Sequence, residues 1–313
     1  MSAAHAAVKH ELLVRYLDAW TPAVLHRHKR ATYVEADTDG AAAVAALRVF
    51  GEFADLLDRH TLTMLLLGSD AAHVSATARR LTEVAGEYQS PPGLGVHTIV
   101  GVDELVPALV RAKAVGSPIF AWFDWSGSTA GSAAGSAEPP DESEAVSIVA
   151  RYKGSELLLA LPATTPTGHL GSLREAGLVE TARVELVDRV GVAETLVFAT
   201  SSAKALETFK DELWALDEYA GIRYRDPIDE EGTLLDISLQ PNLGPLRRAL
   251  TGCLARAGES TVASLREWTL HETIYRAADA TRAVQALVAS GVVTRTPASG
   301  RLAPGTLIDR SAA

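Results

Sequence analysis

The sequence predicts a doubly wound α/β fold, a mostly parallel sheet with helices on both faces, followed by a C-terminal winged helix. Three observations carry this. From residue 31 onward short apolar runs alternate with longer helical patterns, the grammar of right-handed βαβ units. Four of those runs end at or near an Asp: Asp37, Asp70, Asp103 and Asp124. Residues 246–310 then change character, with three helical segments, a Pro/Gly-rich hairpin, and nine Arg and no Lys against five acids.

The elements follow in order. Residues 8–25 place Leu12, Leu13, Tyr16, Leu17, Trp20 and Val24 on one helical stripe, with charged residues expected opposite. ATYVEAD (31–37) reads as a first strand and residues 40–59 as a helix. TLTMLLLGSD (61–70) is a second strand before the helix 71–87. VHTIVGVD (96–103) is a third before the helix 104–114, and SPIFAWFD (117–124) is a fourth. Residues 126–140 are rich in Gly, Ser and Ala, the composition of a flexible loop. A helix over 141–153 leads into ELLLALP (156–162), and RVELVDRV and ETLVFATS add two strands. Beyond Pro245, LRRALTGCLARAG, VASLREWTL and ATRAVQALVASG are helices, and VVTRTPASGRLAPG is a two-stranded wing. The expected division is 1–245 for the α/β domain and 246–313 for the winged helix.

Composition bounds the function classes. Net charge is −10, so nucleic acid is not attracted to the molecule as a whole, although residues 246–310 carry a net +4. Arg276 and Arg282 flank the expected recognition helix, and Arg295 and Arg301 lie on the wing. These are candidate phosphate contacts, and docking onto a protein is the alternative use. The single Cys253 excludes an intramolecular disulfide. No His pair has metal spacing with a supporting acid, so no metal site is expected. The start MSAAHAAVKH lacks a signal-peptide core and no apolar run is long enough to span a membrane. A cytoplasmic protein with no membrane partner is expected. There is no P-loop and no Gly-x-Ser-x-Gly elbow, and PPGLG lacks dinucleotide-binding spacing. DPIDEEG (226–232) reads as a solvated acidic loop.

In open α/β sheets, ligands bind beyond the C-terminal strand ends. The four Asp are therefore candidates for a ligand rim, and each is equally a candidate helix cap or turn former. Trp125, next to Asp124, is placed either to stack on a flat ligand or to join the core.

VKHELLVRYLDAW, SPIFAWFDWSG, ETLVFATSSAKALETFKDELWALDEYAG and the closing STVASLREW with AVQALVASGVVTR together resemble segments of the three-Cys-motif partner protein (TcmP) family, whose members are class I S-adenosylmethionine-dependent methyltransferase-like, a Rossmann-type fold. The resemblance implies S-adenosylmethionine held along Glu35, Asp37, Gly40, Asp70 and Asp103. It implies Asp124 and Trp125 on the acceptor side, as the candidate catalytic residues. It also implies transfer of a methyl group, by positioning, to an unidentified acceptor. The chain departs from the family at the cofactor. TYVEADTDGAAA keeps Glu35 but only Gly40 of a glycine-rich turn, LLLGSD sets Asp70 late, and Trp125 stands where the family has Pro. These departures support a second expectation: a catalytically degenerate scaffold whose winged helix binds nucleic acid or a partner protein.

Overall fold

The computed structural model describes residues 3–36, 40–68, 70–87, 91–126, 140–165, 168–216 and 221–311. The chain runs α1 (Ala3–Leu25), β1 (Arg30–Ala36), α2 (Ala41–Glu52), α3 (Ala54–Leu57), β2 (Thr61–Gly68), α4 (Ala71–Glu87) and β3 (Leu94–Val100). Next come α5 (Leu105–Arg111), β4 (Ile119–Asp124), α6 (Pro140–Ala150), β5 (Ser155–Pro162), α7 (Gly168–Glu175), β6 (Glu180–Val187) and β7 (Ala193–Thr200). Then α8 (Ala203–Trp214), β8 (Arg223–Arg225), β9 (Leu234–Asp236), α9 (Gly244–Ala257), β10 (Ser260–Thr261), α10 (Val262–Glu272), α11 (Ala277–Ala289), β11 (Val293–Thr296) and β12 (Leu307–Arg310) complete it.

Nine strands form one sheet in the order β3-β2-β1-β4-β5-β7-β6-β8-β9. Strands β1 to β5 pair in parallel, while β7 runs antiparallel between β5 and β6. This is a Rossmann-like, methyltransferase-type sheet with helices on both faces. The central strands are near-continuous apolar runs because both faces are covered: β4 is buried at all six positions, Ile119 to Asp124. Side chains alternate between two core clusters. Tyr33, Phe120, Trp122, Leu158 and Phe198 meet the helices α1, α2 and α8, and Val34, Ala121, Phe123 and Leu157 meet α5 and α6.

The helix expected over 40–59 is two helices, broken at Phe53, which caps α2 and starts α3. The third strand ends at Val100 rather than Asp103. Gly101 turns at φ 80° and Val102–Glu104 form a 3-10 turn, so Asp103 lies past the strand. The strands β8 and β9 are only three residues each and carry no legible alternation. The loop expected at 126–140 lies mainly outside the described residues; α6 begins at its last residue, Pro140.

Helix α1 departs from the expected polarity split. His5 and Lys9 lie on the buried stripe with Val8, Leu12, Tyr16 and Trp20, not on the water side. Each meets a polar strand residue that alternation turns toward α1. The Tyr16 hydroxyl donates to Glu156 on β5 at 2.5 Å, and burial pushes Glu156 up to about 7 against the opposing pull of that bond.

The C-terminal elements α9 to β12 contain their own three-stranded sheet, β10-β12-β11. Their apolar side chains nevertheless join the α1/α8 side of the main core, through Leu246, Leu250, Leu265, Val284 and Ile308. Helix α8 supplies the polar half of this seam. Lys210 is wholly buried, and its ammonium donates to the carbonyls of Leu270 and Thr273 at 2.5 Å and of Tyr275 at 3.1 Å. It thereby satisfies acceptors left open where α10 ends. Burial pulls Lys210 down to about 7, opposed by Asp226, Asp279 and Glu272. One turn later Trp214 Nε1 donates to Ile274 O at 3.0 Å, and the Trp214 ring stacks on Tyr275. Asp226 accepts from Ile274 N at 3.1 Å. The Lys and Trp of the segment Leu206 to Trp214 are therefore anchors for the C-terminal elements.

Trp214→Phe keeps an aromatic ring in the core but leaves part of the indole's space empty and the Ile274 carbonyl buried and unpaired. It is expected to cost about 1–3 kcal/mol in denaturant unfolding. Glu156, whose carboxyl titrates higher in the folded chain than its ordinary 4.5, favours the folded state fully at low pH. That contribution is lost as pH rises toward about 7. The fall in stability from pH 4.5 to 7 should flatten in Glu156→Gln, measured by thermal unfolding across pH.

Candidate functional site

The strand order reverses between β1 and β4, so the crevice beyond their C-terminal ends is the topological switch point where this fold places ligands. Glu35 stands at the β1 side, 3% exposed, accepting from the Tyr33 hydroxyl at 2.5 Å. It lines a small cavity with Gly40, Gly68, His73, Val74 and Thr77. That cavity is only about 10 Å³, room for one water, whereas small-molecule sites run to roughly 300 Å³ or more.

The first turns of α4 fill the space. A Cβ on Gly68 would lie 2.5 Å from Val74 Cγ2, and one on Gly40 would lie 2.7 Å from Thr77 Oγ1. Both glycines are therefore used for close approach of the α4 helix, leaving no open cradle for a ligand. Gly40 also holds a left-handed conformation, φ 71°, as the residue before α2. Asp70 caps α4, its Oδ1 accepting from His73 N at 2.8 Å, and is exposed. Asp103 is exposed in the 3-10 turn. Asp37 lies outside the described residues. The structure thus brings Glu35 and Gly40 to one cavity and leaves Asp70 and Asp103 out of its lining. Among the described residues, the cavity beside Glu35 and Gly40 is much smaller than a nucleoside-sized cofactor.

At the β4 side, period-two alternation turns Phe120, Trp122 and Asp124 toward α1. Asp124 is 4% exposed. Its Oδ2 lies 2.8 Å from Lys9 Nζ, and its Oδ1 accepts from Ser126 N at 3.1 Å and Ser126 Oγ at 2.6 Å. Lys9 Nζ also lies 2.8 Å from Glu194 on β7 and donates to Ser126 Oγ at 2.6 Å. His5 completes the cluster, with Nε2 3.1 Å from Leu186 O and Nδ1 3.9 Å from Glu194. Both Asp124 oxygens are occupied by the protein itself. Trp125 alternates to the other face and stacks on Phe123, centroids 5.1 Å apart and planes 7° apart.

The sequence reading missed Lys9, His5 and Glu194. The signal was present: Lys9 lies four and seven residues before Leu13 and Tyr16, on their own stripe. It also missed a cavity of about 440 Å³ between 226–231 and α9/α10. Of the C-terminal arginines, Arg276 binds Asp279 and Leu239 O, and Arg282 binds Asp279. Arg295 donates to the wing carbonyls of Pro297, Ser299, Gly300 and Arg301. Among the described residues no group of three His, Cys, Asp or Glu is arranged to hold a metal ion. No described helix is long and apolar enough to cross a membrane.

No family model matches the chain, and no curated protein matches it in sequence. Solved structures similar to it include EvdMO1, at 14% identity and TM-score 0.37, over 62% of this chain and 42% of that one. The match therefore spans less than half of the EvdMO1 chain. An arsenic(III) S-adenosylmethionine methyltransferase from Chlamydomonas reinhardtii matches at 13% identity and TM-score 0.36, over 60% of this chain and 72% of that one. A class I S-adenosylmethionine-dependent methyltransferase structure from Listeria monocytogenes gives 9% identity and TM-score 0.36, over 64% and 63%. Likenesses this low transfer no activity, and the fold rests on the strand order itself.

Proposed function

We propose that this chain is a methyltransferase-fold protein of the TcmP type that has lost its cofactor cleft and serves as an interaction scaffold. The observation that carries the reading is the closure of the switch point. Val74 and Thr77 of α4 occupy the approach to Gly68 and Gly40, and Lys9 occupies Asp124. An acid that is to orient a methyl acceptor must be reachable by it, and Asp124 is 4% exposed, bound by Lys9 of α1 and by Ser126 of its own turn.

The winged-helix reading of residues 246–313 belongs to this proposal, as does the boundary at 245. The element order α9-β10-α10-α11-β11-β12, with β10 paired to β12, supports it. The partner is a protein rather than a nucleic acid. Arg276, Arg282 and Arg295 are spent on internal bonds, and the exposed α11 positions Ala278, Gln285 and Ala289 are uncharged. Few cations remain on α11 to displace counterions from a phosphate backbone. Of the four candidate arginines, Arg301 on the wing is the one left exposed without a bond to its side chain among the described residues.

A methyltransferase reading keeps one supporting observation: Glu35 is buried at the C-terminal end of β1 and faces the switch-point cavity. It requires the first turns of α4 to withdraw from both glycines. Calorimetric titration with S-adenosylmethionine separates the two. The scaffold reading expects no saturable binding tighter than about 1 mM, and a micromolar dissociation constant would overturn it. The structural role of Asp124 has its own test. Lys9→Met leaves two buried carboxylates without their cation and is expected to cost about 3–5 kcal/mol of unfolding free energy. Adding Asp124→Asn and Glu194→Gln to it should recover most of that loss; a neutral Lys9→Met would contradict the role.

A further inference from the structure

A second cavity lies away from the switch point, at the seam between the acidic segment 226–231 and the helices α9 and α10. Its volume is about 440 Å³, within the range of small-molecule sites. Its apolar walls are Ile228, Leu246 and the rings of Trp268 and Tyr275. On α9, Ala249 and Gly252 present little side chain to it. Trp268 is half-buried, and its ring pairs with no other ring among the described residues.

The charge on the lining is lopsided, with five carboxylates and two guanidiniums. Arg248 is already committed, 3.1 Å from Asp229 and 3.0 Å from Glu231. Asp226 is committed to the backbone, accepting from Ile228 N and Ile274 N. Glu230, Glu272 and Arg256 form no ion pair among the described residues. Glu272 lies four residues after Trp268 on α10, so the two share one helical face. An aromatic face with a carboxylate one turn away recognises a cation through the ring and the charge together.

We propose that this cavity is a binding site for a small organic cation, a protonated amine, amidinium or guanidinium carried on a flat apolar body. The body lies against Trp268 and the cationic head is held by Glu272 and Glu230. Occupancy ties the segment 226–231 to α9 and α10, across the same seam that Lys210 and Trp214 hold from beneath. The inference is independent of whether the switch point binds a cofactor.

Benzamidine is the probe, titrated by calorimetry against the full chain, with the neutral isostere benzamide and the anion benzoate alongside. The expected result is saturable one-to-one binding of benzamidine, at least about tenfold tighter than benzamide, a difference near 1.4 kcal/mol. It should weaken at least about tenfold in Glu272→Gln, an exposed position where the fold is retained, and again in Trp268→Ala. Benzoate binding tighter than benzamidine would overturn the proposal, because the cavity would then read anions. So would benzamidine binding that Glu272→Gln leaves unchanged, or no saturable binding up to about 10 mM.

Discussion

The ammonium of Lys9, held 2.8 Å from both Asp124 and Glu194, is the interaction on which the α/β part is organised. A cation with no exposed surface is stable only where its partners are placed beforehand. Here β4 and β7 supply one carboxylate each, turned to the α1 face by the two-residue period of a strand. The pairing fixes the rotation of α1 over the sheet. It thereby sets Tyr16 against Glu156 and the apolar stripe against Phe120 and Phe198. It also decides the chemistry of the switch point, since the strand-end acid there is neutralised from within.

The same device recurs at the other end of the molecule. Helix α8 lies between the sheet and the C-terminal elements, and its Lys210 meets carbonyls of 270–275 where Lys9 meets carboxylates. The apolar core passes from one side of this helix to the other without a break. The C-terminal elements are thus held by two kinds of term: burial, which is non-directional, and a set of hydrogen bonds that fixes one arrangement. The seam cavity lies where that packing is incomplete, and its unpaired acids are accessible in a way that Asp124 is not.

Much of the fold was legible in the sequence. The alternating apolar runs located β1, β2, β4, β5 and β7 to within a few residues. Apolar runs covered on both faces and helices of ordinary length leave a strong local pattern. The three-residue strands β8 and β9 do not, and no element was expected at their residues. The site was legible only by half. Asp124 stood out at a strand end, but the cation that occupies it comes from α1, far away in sequence. Lys9 was read by its charge instead of its place on the apolar stripe. Gly40 and Gly68 raised the same difficulty: a small residue is required for close approach, and sequence does not say whether ligand or helix approaches. The Leu206–Trp214 segment was recognised as a pattern, yet only tertiary contacts show Lys210 and Trp214 acting as anchors.

The central claim is that helix α4, and not a cofactor, occupies the space above Gly40 and Gly68. Amide resonances of these two glycines report on that space directly. With excess S-adenosylhomocysteine added to the ¹⁵N-labelled chain, the account predicts that the Gly40 and Gly68 amide shifts stay unchanged. Saturable shifts at both glycines would show the cleft opening to admit a nucleoside, and would contradict it.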